Sequence, residues 1–198
     1  MEKFVLASAS PRRKEILEQV GLKFDIVISD ADENSIKIDM PVSLYVQELA
    51  LIKANAAAKT LLKIGEKDKI IISADTIVVK DGEILGKPKD EEDAFLMLSK
   101  LSGEEHEVYT GFCIMRTKDM FSVANYEKTT VKFQEISPEK IREYIETKEP
   151  MDKAGAYAIQ GKGALFVEKI DGDYQNVVGL PVFKLAKILE EEFGEKIY

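Results

Sequence analysis

Lys69-Ile70-Ile71-Ile72-Ser73-Ala74-Asp75-Thr76-Ile77-Val78-Val79-Lys80-Asp81-Gly82-Glu83-Ile84-Leu85 decides how this chain is organised. Two β-branched runs, Lys69 to Ser73 and Thr76 to Lys80, carry the side chains that fit a pleated, half-buried surface. Asp81-Gly82 between Val79 and Ile84 is a two-residue hairpin signal, because these residue types tolerate the positive φ that a tight turn between twisted strands demands. The stretch reads as strand, break, strand, turn, strand, with Ser73-Ala74-Asp75-Thr76 as the interruption.

Upstream, Lys3 to Ala7 reads as a short buried strand. Ser10-Pro11 then supplies a good N-cap and a first helical residue whose missing N–H costs nothing, so a helix is expected from Pro11 to Val20. Gly21 stops it, Phe24 to Ile28 reads as a second strand, and the acidic Asp30 to Glu33 as a loop. From Val42 to Lys63 the residues Tyr45, Leu49, Ile52 and Ala56 recur at helical spacing, which predicts a long amphipathic helix with Lys53 one position off its apolar stripe.

Downstream, Asp90 to Leu101 is predicted helical, and Glu107 to Arg116 with Met120 to Gln134 reads as two long antiparallel strands around Thr117 to Asp119. Ser137-Pro138 repeats the cap signature and opens a helix to Thr147. Ala164 to Ile170 is expected as a strand. The last helix spans Pro181 to Phe193 with Val182, Leu185, Ala186 and Leu189 inward. Helices interleaved with strands, plus a central antiparallel pair, give an α/β or α+β fold with a mixed twisted sheet and flanking helices.

The 198 residues fit one domain, 1–198, on a prior of roughly 100 to 200 residues per domain. A 45% hydrophobic fraction can fill its core while 32% charged residues solvate the surface. No run approaches the roughly 20 apolar residues of a membrane span, and Phe4 to Ala7 is too short for a signal-peptide core, so a cytoplasmic chain with no membrane partner is expected. The net charge of −8 argues against a nucleic-acid coat, which needs a basic face. An anionic ligand would need a local cationic cluster, a helix N-terminus or a metal.

Ser8-Ala9-Ser10-Pro11-Arg12-Arg13 offers two of these: a strand end running into a helix N-terminus with free backbone N–H groups, and two guanidinium groups in the first turn. A phosphate site and a merely capped helix with solvated arginines both satisfy this local pattern. Asp75 places a carboxylate where the sheet is otherwise apolar, an unfavourable position for an idle charge. It can be a turn or capping residue, or it can hold a divalent metal and orient or deprotonate an attacking water.

Met151 to Gly161 and Gly172 to Pro181 are rich in small residues and permit close backbone approach to a ligand. The second also reads as a glycine-rich connection with a helix start at Pro181. Glu33, and Lys87 in Gly86-Lys87-Pro88, are uninformative individually. No P-loop, GxGxxG or Gly-x-Ser-x-Gly pattern is present. His106, the only histidine, rules out a multi-histidine metal site and reads as an exposed strand start beside Glu104, Glu105 and Glu107. The single Cys113, inside an apolar run, reads as a buried thiol.

Taken in order, Ser8 to Arg13, Ser73 to Thr76, Gly86 to Pro88, Asp152 to Gly161 and Gly172 to Pro181 resemble the Maf family of nucleotide pyrophosphatases from end to end. The resemblance implies a fold like that of inosine triphosphate pyrophosphatases, with two lobes around a deep cleft, and cleavage of a nucleoside triphosphate between its α and β phosphates. It implies Asp75 as proton acceptor, Ser8, Arg13, Lys53, Lys87 and Lys153 as substrate-binding residues, and Glu33 with Asp75 as carboxylates for a divalent ion. Mg²⁺ is the default cofactor and Mn²⁺ or Co²⁺ the alternatives.

Arg12, Thr76 and Gln160 match positions that mark the branch acting on dTTP and UTP, so the implied substrates are pyrimidine triphosphates, modified ones included. A homodimer is the family expectation. The family's association with septum formation keeps a second reading open, a nucleotide-sensing regulatory module without relevant turnover. A third is a general phosphatase releasing orthophosphate.

Overall fold

The computed structural model describes residues 1–28, 30–36 and 38–197. In chain order its elements are β1 (Phe4–Leu6), α1 (Pro11–Gln19), β2 (Phe24–Ile26), α2 (Val42–Lys63), β3 (Ile70–Lys80), β4 (Glu83–Leu85), α3 (Glu91–Leu101), β5 (Glu105–Arg116), β6 (Ser122–Phe133), α4 (Pro138–Glu146), β7 (Val167–Asp171), α5 (Tyr174–Val178) and α6 (Val182–Phe193). The strands form a seven-stranded sheet in the order β2-β1-β3-β5-β6-β7, with β4 paired to β3. It is mixed: β1 runs parallel to β2 and β3, while β4 and β7 are antiparallel to β3 and β6. The α/β class expected from the interleaved pattern is the one observed.

Caps and turns behave as their chemistry dictates. The Ser10, Asp90 and Ser137 side chains accept from the backbone N–H of Arg13, Asp93 and Lys140, and so satisfy helix donors that have no partner inside the helix. Asp81 and Gly82 turn with φ of 52° and 79°, pairing Lys80 with Glu83.

Residues cluster into two compact units: Met1–Asp75, Thr110–Glu127 and Gly179–Tyr198 in the first, Thr76–Tyr109 and Lys128–Val178 in the second. The core of the first is built on small residues. Ala50, Ala54, Ala57 and Ala58 of α2 bury against Val5, Ala7, Ile71, Cys113 and Met115, with Leu61 completing the cluster. Short side chains let the helix backbone come close enough for Ser73 Oγ, buried on β3, to donate to the Ala50 carbonyl at 2.7 Å. Gly111 of β5 meets the same helix, where a Cβ would lie 2.1 Å from the Val46 carbonyl oxygen.

The second unit is organised by rings. His106, Phe133 and Tyr157 meet edge to face with centroids 4.7 to 5.3 Å apart, and Phe166 stacks its edge between Phe133 and Tyr144. Arg142 lies over the Phe95 ring at 4.3 Å, tying α4 to α3.

Several sequence expectations are revised. β3 is continuous through Asp75, without the expected break. The buried stripe of α2 is Val46, Leu49, Ala50, Ala54, Ala57, Ala58 and Leu61, turned away from Tyr45, Ile52 and Ala56, because helix-to-sheet closeness selects alanine over larger side chains. Lys53 consequently lies in line with Leu49 and Ala57 rather than off the stripe. Residues 161–166 wind as a 3₁₀ helix and only Val167–Asp171 is strand, and the glycine-rich connection after Asp173 contains α5. His106 is buried, 2% exposed, since β5 turns it into the ring cluster.

Gly111→Ala is expected to destabilise the protein by about 3 kcal/mol, since an overpacked backbone contact leaves no soft atom to move. Thermal or urea unfolding of the variant beside Gly111→Ser, with the larger loss for the larger side chain, checks it.

Candidate active site

Asp75 closes the first unit's share of β3, and its neighbourhood follows from the way α2 lies on that strand. Ser73 and Asp75 point to one face because strand side chains alternate, about 6.6 Å apart along the chain. Ala50 and Lys53 are three residues apart on α2, a rise of about 4.5 Å. The Ser73–Ala50 bond therefore brings the next positions on each element together as well, and the Lys53 ammonium donates to Asp75 Oδ1. Both side chains are 17% exposed.

The same ammonium meets Glu33 Oε1 at 3.2 Å, from the 3₁₀ turn Glu33–Ser35, and the Glu33 side chain is 53% exposed. One cation thus sits between two carboxylates, one on a buried strand and one at the surface. Arg13 joins from the first turns of α1, where Nη1 donates to Ser8 Oγ at 3.1 Å and Nε to the Gly179 carbonyl at 2.9 Å. Burial holds the Arg13 guanidinium below its ordinary pKa, Asp75 and Glu33 pull it back up, and Arg12 pushes it down; an arginine keeps its proton through shifts of this kind.

Ser8, Arg12, Arg13, Glu33, Lys53 and Asp75, expected from the family resemblance, are thus linked by bonds or fields within one unit. In the second unit Thr76 follows directly on β3. Lys87 is exposed in the irregular segment after β4, and the Gly155 N–H donates to the Gly86 carbonyl at 3.0 Å, joining the Gly86 to Pro88 segment to the Asp152 to Gly161 segment. Lys153 pairs with Asp152, and Gln160 is half-buried before the 3₁₀ helix Gly161–Phe166. Among the described residues no group of three or more His, Cys, Asp or Glu side chains converges.

Tyr45, read from the sequence only as part of an apolar stripe, was missed as a neighbour of the site. Its hydroxyl is raised above the ordinary tyrosine pKa by burial first and then by the charges of Asp75 and Glu33, which places it in the field of the carboxylates. Its position two turns before Lys53 was the available signal. Nor did Glu149 and Tyr144, which hold the Gln160 segment, stand out in Lys148-Glu149-Pro150 and a helix pattern. Cys113 is a core residue as expected: burial pushes its thiol up to about 12, far from a nucleophile's range.

A family model described as Maf-like protein matches residues 3–192. The chain belongs to the Maf family. Among its relatives, the dTTP/UTP pyrophosphatase of Clostridium novyi (strain NT) is 52% identical over 186 residues, covering 94% of this Maf chain and 95% of the relative. The dTTP/UTP pyrophosphatase of Thermoanaerobacter sp. (strain X514) is 50% identical over 195 residues, covering 98% and 99%. Among solved structures the Staphylococcus aureus Ham1 protein is similar at a TM-score of 0.46 and 16% identity, over 67% of this chain and 72% of that one. No helix among the described residues is long and apolar enough to cross a membrane.

His106 of this Maf chain lies outside the charged cluster. Its Nε2 is 2.7 Å from the Tyr157 hydroxyl, and burial, helped by the charge of Lys80, lowers its pKa from 6.5 to about 4. As pH falls the unfolded chain takes up this proton first, so stability is lost between pH 6.5 and about 4. The loss is on the order of 3 kcal/mol at its full extent. Urea midpoints at pH 7 and pH 4.5 should fall more for the wild type than for His106→Gln, whose amide does not titrate.

Proposed function

We propose that this Maf chain is a nucleoside triphosphate pyrophosphatase that hydrolyses dTTP and UTP to the monophosphate and pyrophosphate. The Lys53 ammonium shared by the carboxylates of Asp75 and Glu33, with Arg13 in the same field, is the observation that carries this. Identities of 50% to 52% with relatives named dTTP/UTP pyrophosphatase, over nearly the whole chain, support the substrate assignment.

Asp75 is the proton acceptor. Water attacks the α-phosphorus, its proton passes to an Asp75 oxygen, and the bond from the α-phosphorus to the α,β-bridging oxygen breaks, so that pyrophosphate leaves with the bonding pair. The leaving group carries the developing charge, which Arg13, Lys53, Lys87 and Lys153 offset. Ser8 Oγ accepts from Arg13 Nη1 and the Ser10 N–H, the hydrogen bonds it makes among the described residues, and keeps its own proton for a phosphate oxygen. Arg12, Thr76 and Gln160 choose the pyrimidine, and the Gln160 amide offers both a donor and an acceptor to a base edge.

Glu33 and Asp75 fit a hard divalent ion. Their oxygens already converge on one cationic atom, and two hard carboxylates beside a phosphate-bearing substrate would suit Mg²⁺, with Mn²⁺ or Co²⁺ able to replace it. When bound, the ion would neutralise charge on the phosphate oxygens. A homodimer, carried by the family resemblance, and a cytoplasmic location, carried by the lack of a membrane-length apolar run, complete the proposal.

Asp75→Asn should lower pyrophosphate release from UTP by about 10² to 10⁴ while the thermal midpoint stays close to wild type. Full turnover in a folded variant would sink the assignment. Removing divalent ions with a chelator should abolish release and added Mg²⁺ restore it. Orthophosphate from many esters would instead indicate a general phosphatase, and tight nucleotide binding without turnover a sensing module.

A further inference from the structure

Gln160 sits in a segment whose backbone is held on both sides by two side chains with no assigned role. Tyr144 of α4, buried with its ring edge against Phe166, accepts from the Ala158 N–H at 3.2 Å through its hydroxyl oxygen. That hydroxyl donates its own proton to Glu149 Oε1 at 2.9 Å. Glu149, from the 3₁₀ turn Glu149–Asp152, accepts from the Lys162 N–H on Oε2 at 3.2 Å and from the Gly163 N–H on Oε1 at 3.1 Å. The fixed amides lie at 158 on one side of Gln160 and at 162 and 163 on the other. A fourth tie is the Tyr157 hydroxyl on His106 Nε2.

The carboxylate is built into this place. Gly161 has φ of 71°, and a Cβ there would lie 2.8 Å from Glu149 Oε2, so the backbone comes as close as a residue without a side chain allows. Burial raises the Glu149 pKa, but the N–H groups of Gly163 and Lys162, the Tyr144 hydroxyl and the charge of Lys153 outweigh it and leave the carboxyl below its ordinary value. An ionised acceptor of three hydrogen bonds is a stiffer anchor than neutral partners, because charge-assisted bonds are about twice as strong.

Stabilising the loop needs no such arrangement around one glutamine. A side chain that tells one base edge from another does, since a hydrogen bond to the base discriminates only when donor and acceptor are held in place. We propose that Glu149 and Tyr144 are positioning residues that set base selectivity by fixing the backbone on both sides of Gln160. This rests on the reading of Gln160 as the residue that meets the base.

The experiment measures kcat and KM for pyrophosphate release from UTP and CTP, whose bases differ at the hydrogen-bonding edge. The variants are Tyr144→Phe, Gln160→Ala and the two combined. Tyr144→Phe should lower the UTP-to-CTP ratio of kcat/KM about tenfold, the equivalent of one well-placed hydrogen bond, mostly through a higher KM for UTP. In the Gln160→Ala background the same substitution should leave the ratio where Gln160→Ala has put it.

Glu149→Gln, which keeps the volume and loses the charge, is a further variant and should shift the ratio in the same direction. Equal losses on both nucleotides, or a ratio shift that persists undiminished without Gln160, would overturn the proposal and leave Gln160 as the base reader. A Gln160→Ala enzyme with unchanged selectivity would overturn the reading beneath it, and the positioning role with it.

Discussion

A carboxylate in the middle of a buried strand is the constraint to which much of the first unit answers. Asp75 can stand in β3 because Lys53 reaches it, and Lys53 can reach it because α2 lies close on the sheet. That closeness depends on the alanine face at 50, 54, 57 and 58, on Ser73 bonding the Ala50 carbonyl, and on Gly111 leaving room for the Val46 carbonyl. A carboxylate in so poorly solvated a place depends on the cation that reaches it, so small residues far from the carboxylate are tied to its chemistry.

The second unit solves a different problem by different means. Its ring cluster of His106, Phe133, Tyr157, Phe166 and Tyr144 backs the segment around Gln160, with the Tyr157 hydroxyl on His106 and the Tyr144 hydroxyl between the Ala158 N–H and Glu149. In the first unit the charged side chains meet one another directly. Here the polar groups bond mainly to main chain, so their influence on chemistry runs through where the backbone is held.

Much of the fold was legible along the chain. The caps at Ser10 and Ser137, the Asp81-Gly82 turn and the bounds of α2 follow from local rules and were found where those rules put them. The errors arose where tertiary packing overrode local pattern. Asp75 looked like a break because a charge in an apolar run has no local partner, and its partner lies 22 residues away. His106 looked exposed because its neighbours are glutamates, yet alternation along β5 turns it inward. The expected α2 stripe of Tyr45, Leu49, Ile52 and Ala56 shares only Leu49 with the buried face, because the close approach to the sheet turns Ala50, Ala54, Ala57 and Ala58 inward, beside Val46 and Leu61.

For the site, the residues came from ordered motifs and their family resemblance, and their grouping came from the folded chain. By itself the sequence determined most of the element types, the turn chemistry and the family, since these depend on short-range backbone preferences and on residues in order. The tertiary structure decided that one lysine is shared by Glu33 and Asp75, that Tyr45 lies in their field, and that Glu149 and Tyr144 hold the Gln160 segment. Hydrogen bonds and charge pairs between residues distant in sequence leave no periodic trace in it, because they depend on distances that only packing sets.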